Sequence, residues 1–195
     1  VSMDDVKKLR EKTGAGIMDC KTALTEKQGN IDEAVKYLRE KGIAKAEQRS
    51  DRKTGEGMVA SYIHPGDRLG VILELNSETD FLSRSDEFRQ LAKDLCMQVA
   101  ASAPRYVQRE DVPEDVKTSE KDIYRKQAQE SGKPEGVLEK IAEGKLDKFY
   151  QETCLMEQPF IKDPEKNIKS LVTELIAKTG ENIKVKRFVR YVLGE

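Results

Sequence analysis

The side chains that could do chemistry are few and scattered. One histidine, His64, stands beside a Pro-Gly-Asp turn, and any Ser-His-Asp or Cys-His arrangement would have to use it. Cys20, Cys96 and Cys154 are far apart, form no CxxC pair, and with a single histidine cannot supply a zinc site. They read as reduced, buried thiols of a cytosolic protein. Gly14 to Gly16, "GAG", lacks the preceding strand, the third glycine and the Lys-Ser/Thr of a phosphate-binding loop, and reads as a tight turn between helices. Glu74, Glu78 and Asp80 lie close together, but in a chain with 36 acidic residues such proximity arises by chance. The residues therefore point away from covalent chemistry, from a bound metal and from a cofactor, and toward binding.

One stretch stands out as a binding element. In "LELNSETDFLSR", Leu73 to Arg84, an apolar strand runs into acidic residues and then a phenylalanine, Phe81, just before a new helix begins. Two readings are open from pattern alone. The ring packs beneath the following helix, against Phe88 or Leu91, or it turns outward toward another protein. Met18, next to Ile17 after the glycine turn, has the same ambiguity between core and an adaptable apolar contact.

The elements that must position these residues follow from periodicity. Ser2 with Asp5 behind it makes a helix start, with Val6 and Leu9 on one face. "TGAG", Thr13 to Gly16, breaks that helix. A second runs from about Ile17 to Gly29-Asn30 with Cys20, Ala23 and Leu24 inward. A third carries Ile31, Ala34, Val35 and Leu38 and is expected to end at Gly42. Residues 1–43 thus form a three-helix module of marginal size. Residues 44–53 are charged, poor in large apolar groups, and read as a linker, helical at most in its first half. Beyond it the period changes to two. Met58–His64 and Leu69–Asn76 form an antiparallel hairpin, with Leu69, Val71, Leu73 and Leu75 on one face. A helix from Ser85 carries Phe88, Leu91, Ala92, Leu95 and Val99. Further helices are expected over Glu120 to Ser131, from Pro134 with Val137, Leu138, Ile141, Leu146 and Phe149, and through Ile168 to Ile176. Glu157 to Pro164 reads as a loop. The last segment returns to strand alternation, with Ile183, Val185, Val189 and Tyr191 opposed to Lys184, Lys186 and Arg190. Residues 54–195 are thus expected to be an α+β core with a small antiparallel sheet packed on helices.

Lys and Arg number 35 against 36 acids, a net charge of −1, so no general attraction to nucleic acid or to an anionic membrane is indicated. No apolar run reaches the length of a membrane span, and "VSMDDVKKLR" has no export signal, which together suggest a cytoplasmic protein.

"LREKTGAGIMDCKTAL", Leu9 to Leu24, resembles the first signature of the elongation factor Ts family, the nucleotide exchange factors of elongation factor Tu. "ELNSETDFLSR", Glu74 to Arg84, resembles the second, at the family's spacing. The resemblance covers essentially the whole chain. It implies that the three-helix N-terminus is a ubiquitin-associated-like module. It implies that the tip Thr79, Asp80, Phe81 and Leu82 inserts into the GTPase domain of elongation factor Tu near its magnesium, and that Arg10, Ile17 and Met18 contact another helix of that domain. Ile17 stands where methionine is common and Leu82 where valine is common; both keep an apolar group. Long members carry two similar core halves, whereas this chain has one hairpin-plus-helices unit from about Thr54, so it resembles the short form. A homodimer would restore two halves. The final strand is a candidate seam with no cysteine to bridge it, although Lys184, Lys186 and Arg190 are of the kind that guards an edge. The rival reading is a non-catalytic adaptor whose three-helix module binds a small ubiquitin-like partner, and an exposed Phe81 would count against it.

Overall fold

The computed structural model describes residues 1–195, with eight α-helices and five strands in an α+β arrangement. β1 (Glu56–Ile63), β2 (Leu69–Ser77) and β5 (Ile183–Val192) form a three-stranded antiparallel sheet in the order β1-β2-β5. The strand that returns after the helices therefore pairs with the second strand of the hairpin. The chain divides into two compact units, the first made of residues 1–59, 74–91 and 170–185, the second of residues 60–73, 92–169 and 186–195.

In the first unit, α1 (Met3–Thr13) starts where Ser2 Oγ accepts from the amide of Asp5 at 3.1 Å. The Ser2 hydroxyl also donates to the Asp5 carboxylate at 2.7 Å and holds that carboxyl below its usual range. The helix stops at Gly14, which takes the left-handed conformation (φ 66°) and donates its N–H back to the carbonyl of Arg10. α2 (Ile17–Glu26) and α3 (Ile31–Arg49) complete the bundle, and Asn30 caps α3 through Glu33 N. Val6, Leu9, Cys20, Ala23, Leu24 and Ala34 form its core, as their spacing predicts.

α3 does not end at Gly42. It continues to Arg49, so the charged stretch after residue 43 is largely helical. A glycine inside a helix costs about 1 kcal/mol against alanine. Here it is a close-approach residue. A Cβ at Gly42 would lie 3.1 Å from the Cβ of Ala177 in α8 (Ile168–Thr179), so glycine lets the two helices touch. Gly57 in β1 is tighter still, with φ 142° and its would-be Cβ 2.2 Å from the carbonyl oxygen of Leu75.

In the second unit, the hairpin turns at His64–Asp67, where Asp67 N donates to His64 O at 3.1 Å. The middle of α5 (Asp86–Ser102) buries Leu95, Cys96 and Val99 completely. α6 (Glu114–Glu130) and α7 (Glu135–Thr153) form a helical hairpin joined through Ser131–Pro134. α6 starts six residues before the expected Glu120, directly after Pro113, with Glu114 and Asp115 in its first turn. Val137, expected inward, is exposed, while Leu138 and Ala142 line the buried side of α7. Arg109 ties the base of this hairpin. Its guanidinium donates to both oxygens of Glu157 at 2.9 Å and to Asp147 at 2.8 Å, and lies 4.8 Å over the ring of Tyr150.

Two further expectations fail. Residues 157–164 are not only loop, because β3 (Pro159–Phe160) pairs with β4 (Asp163–Asn167) as a short antiparallel hairpin. What orders it is a buried amide rather than an apolar alternation. Gln98 is fully buried, its Nε2 lies 3.1 Å from Pro159 O and 3.2 Å from Gln158 Oε1, and its Oε1 accepts from Ile161 N at 2.9 Å. In β5, Ile183 and Val185 are buried as expected, but Val189 and Tyr191 face outward. Lys186 and Arg187 are both exposed, and beyond them Phe188, Arg190 and Val192 are the more sheltered residues, so burial passes from the odd to the even positions of the strand.

Gly57→Ala should destabilise the protein by about 2 kcal/mol or more, because it adds a backbone clash to a disfavoured φ. The measure is the midpoint of urea unfolding, and an unchanged midpoint would contradict the close approach.

Candidate functional site

The end of β2 delivers the chain to a short, tightly bonded turn. Leu73, Leu75 and Ser77 are fully buried. The Ser77 hydroxyl then donates to the carbonyl of Thr79 at 2.8 Å and bends the backbone away from the strand. Thr79 caps the single-turn helix α4 (Asp80–Ser83), accepting from Leu82 N at 3.3 Å through Oγ1. The same residue is gripped by Glu181. Thr79 Oγ1 donates to Glu181 Oε1 at 2.8 Å, and Thr79 N donates to Glu181 Oε2 at 3.0 Å. The neighbouring Glu78 carboxylate accepts from Asn182 N at 2.6 Å and lies 3.6 Å from Arg52 Nη1. Charge-assisted bonds of this kind are the stronger sort, and two carboxylates supply them from either strand end.

This scaffold decides where the two apolar residues of the tip go. Successive residues on a helical turn point about 100° apart. Leu82 turns inward to 4% exposure, and Phe88 one helix later is fully buried. Phe81 is 83% exposed. Of the two readings, the outward one is observed, and the place beneath the helix is filled by Leu82 and Phe88. Leaving a phenylalanine in water forgoes about 1.5–3 kcal/mol of burial. Asp80 is also exposed, and its carboxylate is bound to Arg84 at 2.8 Å. The pair is solvated and adds little stability, but it fixes the direction of the Asp80 side chain next to the ring.

The N-terminal candidates gather at the α1–α2 turn. Arg10 is exposed, Ile17 is 51% and Met18 71% exposed, while Cys20 one turn on is buried. Thr13 Oγ1 donates to Leu9 O at 2.7 Å and accepts from Ala15 N at 3.3 Å, so the turn is held from within. Asp19 anchors the start of α2 to α3 through Lys45 at 3.1 Å and Lys41 at 3.3 Å. Burial opposes the charge of Asp19, but the two lysines outweigh it and hold the carboxyl below its usual range. That contribution is present above the ordinary carboxylate pKa and is lost as pH falls through the lowered one.

The groups that could have done chemistry are dispersed. His64 is exposed, with Nδ1 3.0 Å from the hydroxyl of Tyr62. Cys20, Cys96 and Cys154 are free and buried, and burial raises all three thiols, Cys96 to about 11. Gly14–Gly16 is the α1–α2 turn. No three His, Cys, Asp or Glu side chains come together as metal ligands. Glu181 and Asn182 are the residues that sequence reasoning missed. They lie about a hundred positions from the tip, and no local pattern links them to it. The signal available was "TGEN" closing the last helix, which reads only as a helix stop.

The family model described as "Elongation factor TS" matches residues 2–195. Over all 195 residues the chain is 58% identical to the elongation factor Ts of Thermotoga neapolitana, covering 98% of that protein. It is 56% identical to that of Moorella thermoacetica, covering 96%, and 54% identical to that of Thermosipho melanesiensis, covering 100%. These likenesses span the module, the hairpin and the tip alike, and they place the chain in the class of translation elongation factors. Within that class, it belongs to the elongation factor Ts family.

Glu181→Ala should release the tip without unfolding the protein. Hydrogen exchange at the Thr79 amide should speed at least about tenfold, the equivalent of one lost bond of about 1.4 kcal/mol, while the melting temperature moves little. Unchanged protection of Thr79 would show that Glu181 does not hold the turn.

Proposed function

We propose that this chain is a guanine-nucleotide exchange factor for elongation factor Tu, and that the turn Thr79–Leu82 is its working part. The single observation that carries the reading is Phe81, 83% exposed on a turn whose root, Thr79, is held by Ser77 and Glu181. A rigid, pre-formed aromatic loses little entropy on docking and brings most of its area to a partner's core. A GTPase holds its nucleotide through backbone amides around the phosphates and through magnesium, which demands near-octahedral geometry. A wedge that shifts the elements supporting the ion by a small distance loosens both. Phe81 supplies the volume, Asp80 orients the face beside it, and Leu82, buried beneath, keeps the wedge from folding flat. The chain needs no cofactor, forms no covalent bond, touches no nucleic acid and acts in the cytoplasm. No helix is long and apolar enough to cross a membrane. Exchange is reciprocal: a factor that weakens nucleotide binding is itself weakened by nucleotide, so GTP displaces it.

The three-helix, ubiquitin-associated-like module, whose third helix runs on to Arg49, adds affinity by presenting Arg10, Ile17 and Met18 to the same GTPase domain. A second copy of the chain completes the assembly as a homodimer. The outer side of the sheet offers Ile63, Ile72, Val189 and Tyr191, all exposed, as the face to be covered. The guanidinium of Arg190 turns the opposite way, toward the carbonyl of Ala100 at 3.4 Å.

Phe81→Ala should leave the melting temperature within a degree or two and weaken binding by about 2 kcal/mol, roughly thirtyfold. Fluorescent GDP should then leave elongation factor Tu at close to its unassisted rate. Undiminished release would remove the wedge, and no binding of the unaltered chain to elongation factor Tu would favour the adaptor reading. Light scattering at micromolar concentration should give the mass of two chains, and Tyr191→Asp should halve it. A monomer that exchanges nucleotide at full rate would remove the dimer.

A further inference from the structure

Residues 177–182, at the end of α8 and before β5, touch α3, the turn between α1 and α2, the start of α5 and the root of the tip. Ala177 lies under Gly42 of α3. The stem of Lys178 runs over Gly14, where a Cβ would sit 3.3 Å from its Cδ, and Gly14 is the turn that sets out Ile17 and Met18. The ammonium of Lys178 reaches Glu87 in the first turn of α5, six residues after Phe81. Glu181 holds Thr79. Asn182, only 2% exposed, spans the remaining gap. Its side-chain amide donates to Ser50 O at 3.2 Å and to Arg52 O at 2.9 Å just beyond α3, while its backbone N–H donates to Glu78 at the root of the tip.

Local structure explains neither side chain. Lys178 is placed on a glycine and a distant carboxylate, and the Asn182 side-chain amide donates to carbonyls about 130 residues away. Lys178 packs its stem on Gly14 and bonds Glu87 on the tip side, whereas the Asn182 side chain holds Ser50 and Arg52 at the end of α3 and its backbone N–H holds Glu78 at the root of the tip. The bonds of Asn182 are part-buried around a buried side chain, whereas the Lys178 pair is solvated and contributes mainly through its packed stem.

We propose that Lys178 and Asn182 are positioning residues that lock the Ile17–Met18 surface and the Phe81 tip into one fixed pair, so that a single partner face engages both at once. The inference rests on the exchange-factor reading above. Two contacts on one rigid body bind as a linked pair, and the second forms at high effective concentration. Freeing one from the other leaves each surface intact and removes the linkage.

The test is release of fluorescent GDP from elongation factor Tu, titrated with full-length factor. With Lys178→Ala, and with Asn182→Ala, the maximal rate at saturating factor stays within about twofold, because the tip is unaltered. The half-saturating concentration rises about tenfold, a partial loss of the roughly hundredfold or greater gain that linkage can give two joined contacts. Lys178→Arg, which keeps stem and charge, restores the original value. In the wild-type background Met18→Ala raises the half-saturating concentration; in the Lys178→Ala background it adds no further loss. A half-saturating concentration unmoved by Lys178→Ala, or an equal cost of Met18→Ala in both backgrounds, overturns the proposal. If Asn182→Ala does not fold, the Lys178 variants carry the same measurements. The parent reading fails separately, since it requires Phe81→Ala to abolish acceleration in the otherwise unaltered chain.

Discussion

The grip of the Glu181 carboxylate on Thr79 is the interaction on which the rest depends. An aromatic ring left in water gains free energy by collapsing onto any apolar surface within reach. Only a backbone that is fixed independently of the ring can keep it out. Here the fixing is done by polar bonds: Ser77 to Thr79, Thr79 to Leu82, Thr79 to Glu181 and Glu78 to Asn182. Leu82 then takes the buried place that the neighbouring ring would otherwise fill. The turn is ordered by hydrogen bonds and anchored by one leucine, and the exposed phenylalanine contributes nothing to either.

The same division of labour recurs elsewhere. Apolar side chains fill the N-terminal bundle and the inner face of α5, and polar groups decide how irregular segments lie against them. Gln98 orders the β3–β4 hairpin, Arg109 closes the base of the α6–α7 hairpin, and Asp19 fixes the start of α2. Each is a long-range contact made by a residue whose neighbours in sequence give no hint of it. Glycine at 42 and 57 serves where backbone meets backbone and no side chain fits.

That division also explains what could be read in advance. The three-helix core, the hairpin and the α5 face were legible because apolar periodicity is a local signal, and Val6, Leu9, Cys20, Leu24, Val71, Leu73 and Leu95 lie where their spacing puts them. The family motifs pointed to Phe81, Ile17 and Met18, and all three are exposed. Gly42 was misread as a stop because a helix-ending glycine and a close-packing glycine look alike without their neighbours. The β3–β4 hairpin was missed because a buried glutamine 60 residues away organises it. Val189 and Tyr191 read as inward by alternation, but burial passes to the even positions beyond Lys186–Arg187, and that change leaves no mark in the pattern. Leu82 was grouped with the tip by its motif, but it lies beneath the exposed surface. Glu181 and Asn182 could not be found from position alone, since their partners are more than a hundred residues distant.

The three sulfurs have a consequence for watching this molecule move. Each is sealed in a different element, Cys20 in the N-terminal bundle, Cys96 on α5 and Cys154 at the end of α7, and in each case burial keeps the thiol protonated. A thiol-trapping reagent can therefore reach a given sulfur only while its surroundings are open. The rate at which each site is modified is a clock for the breathing of its own neighbourhood, and the chain carries three such clocks without any label having to be introduced.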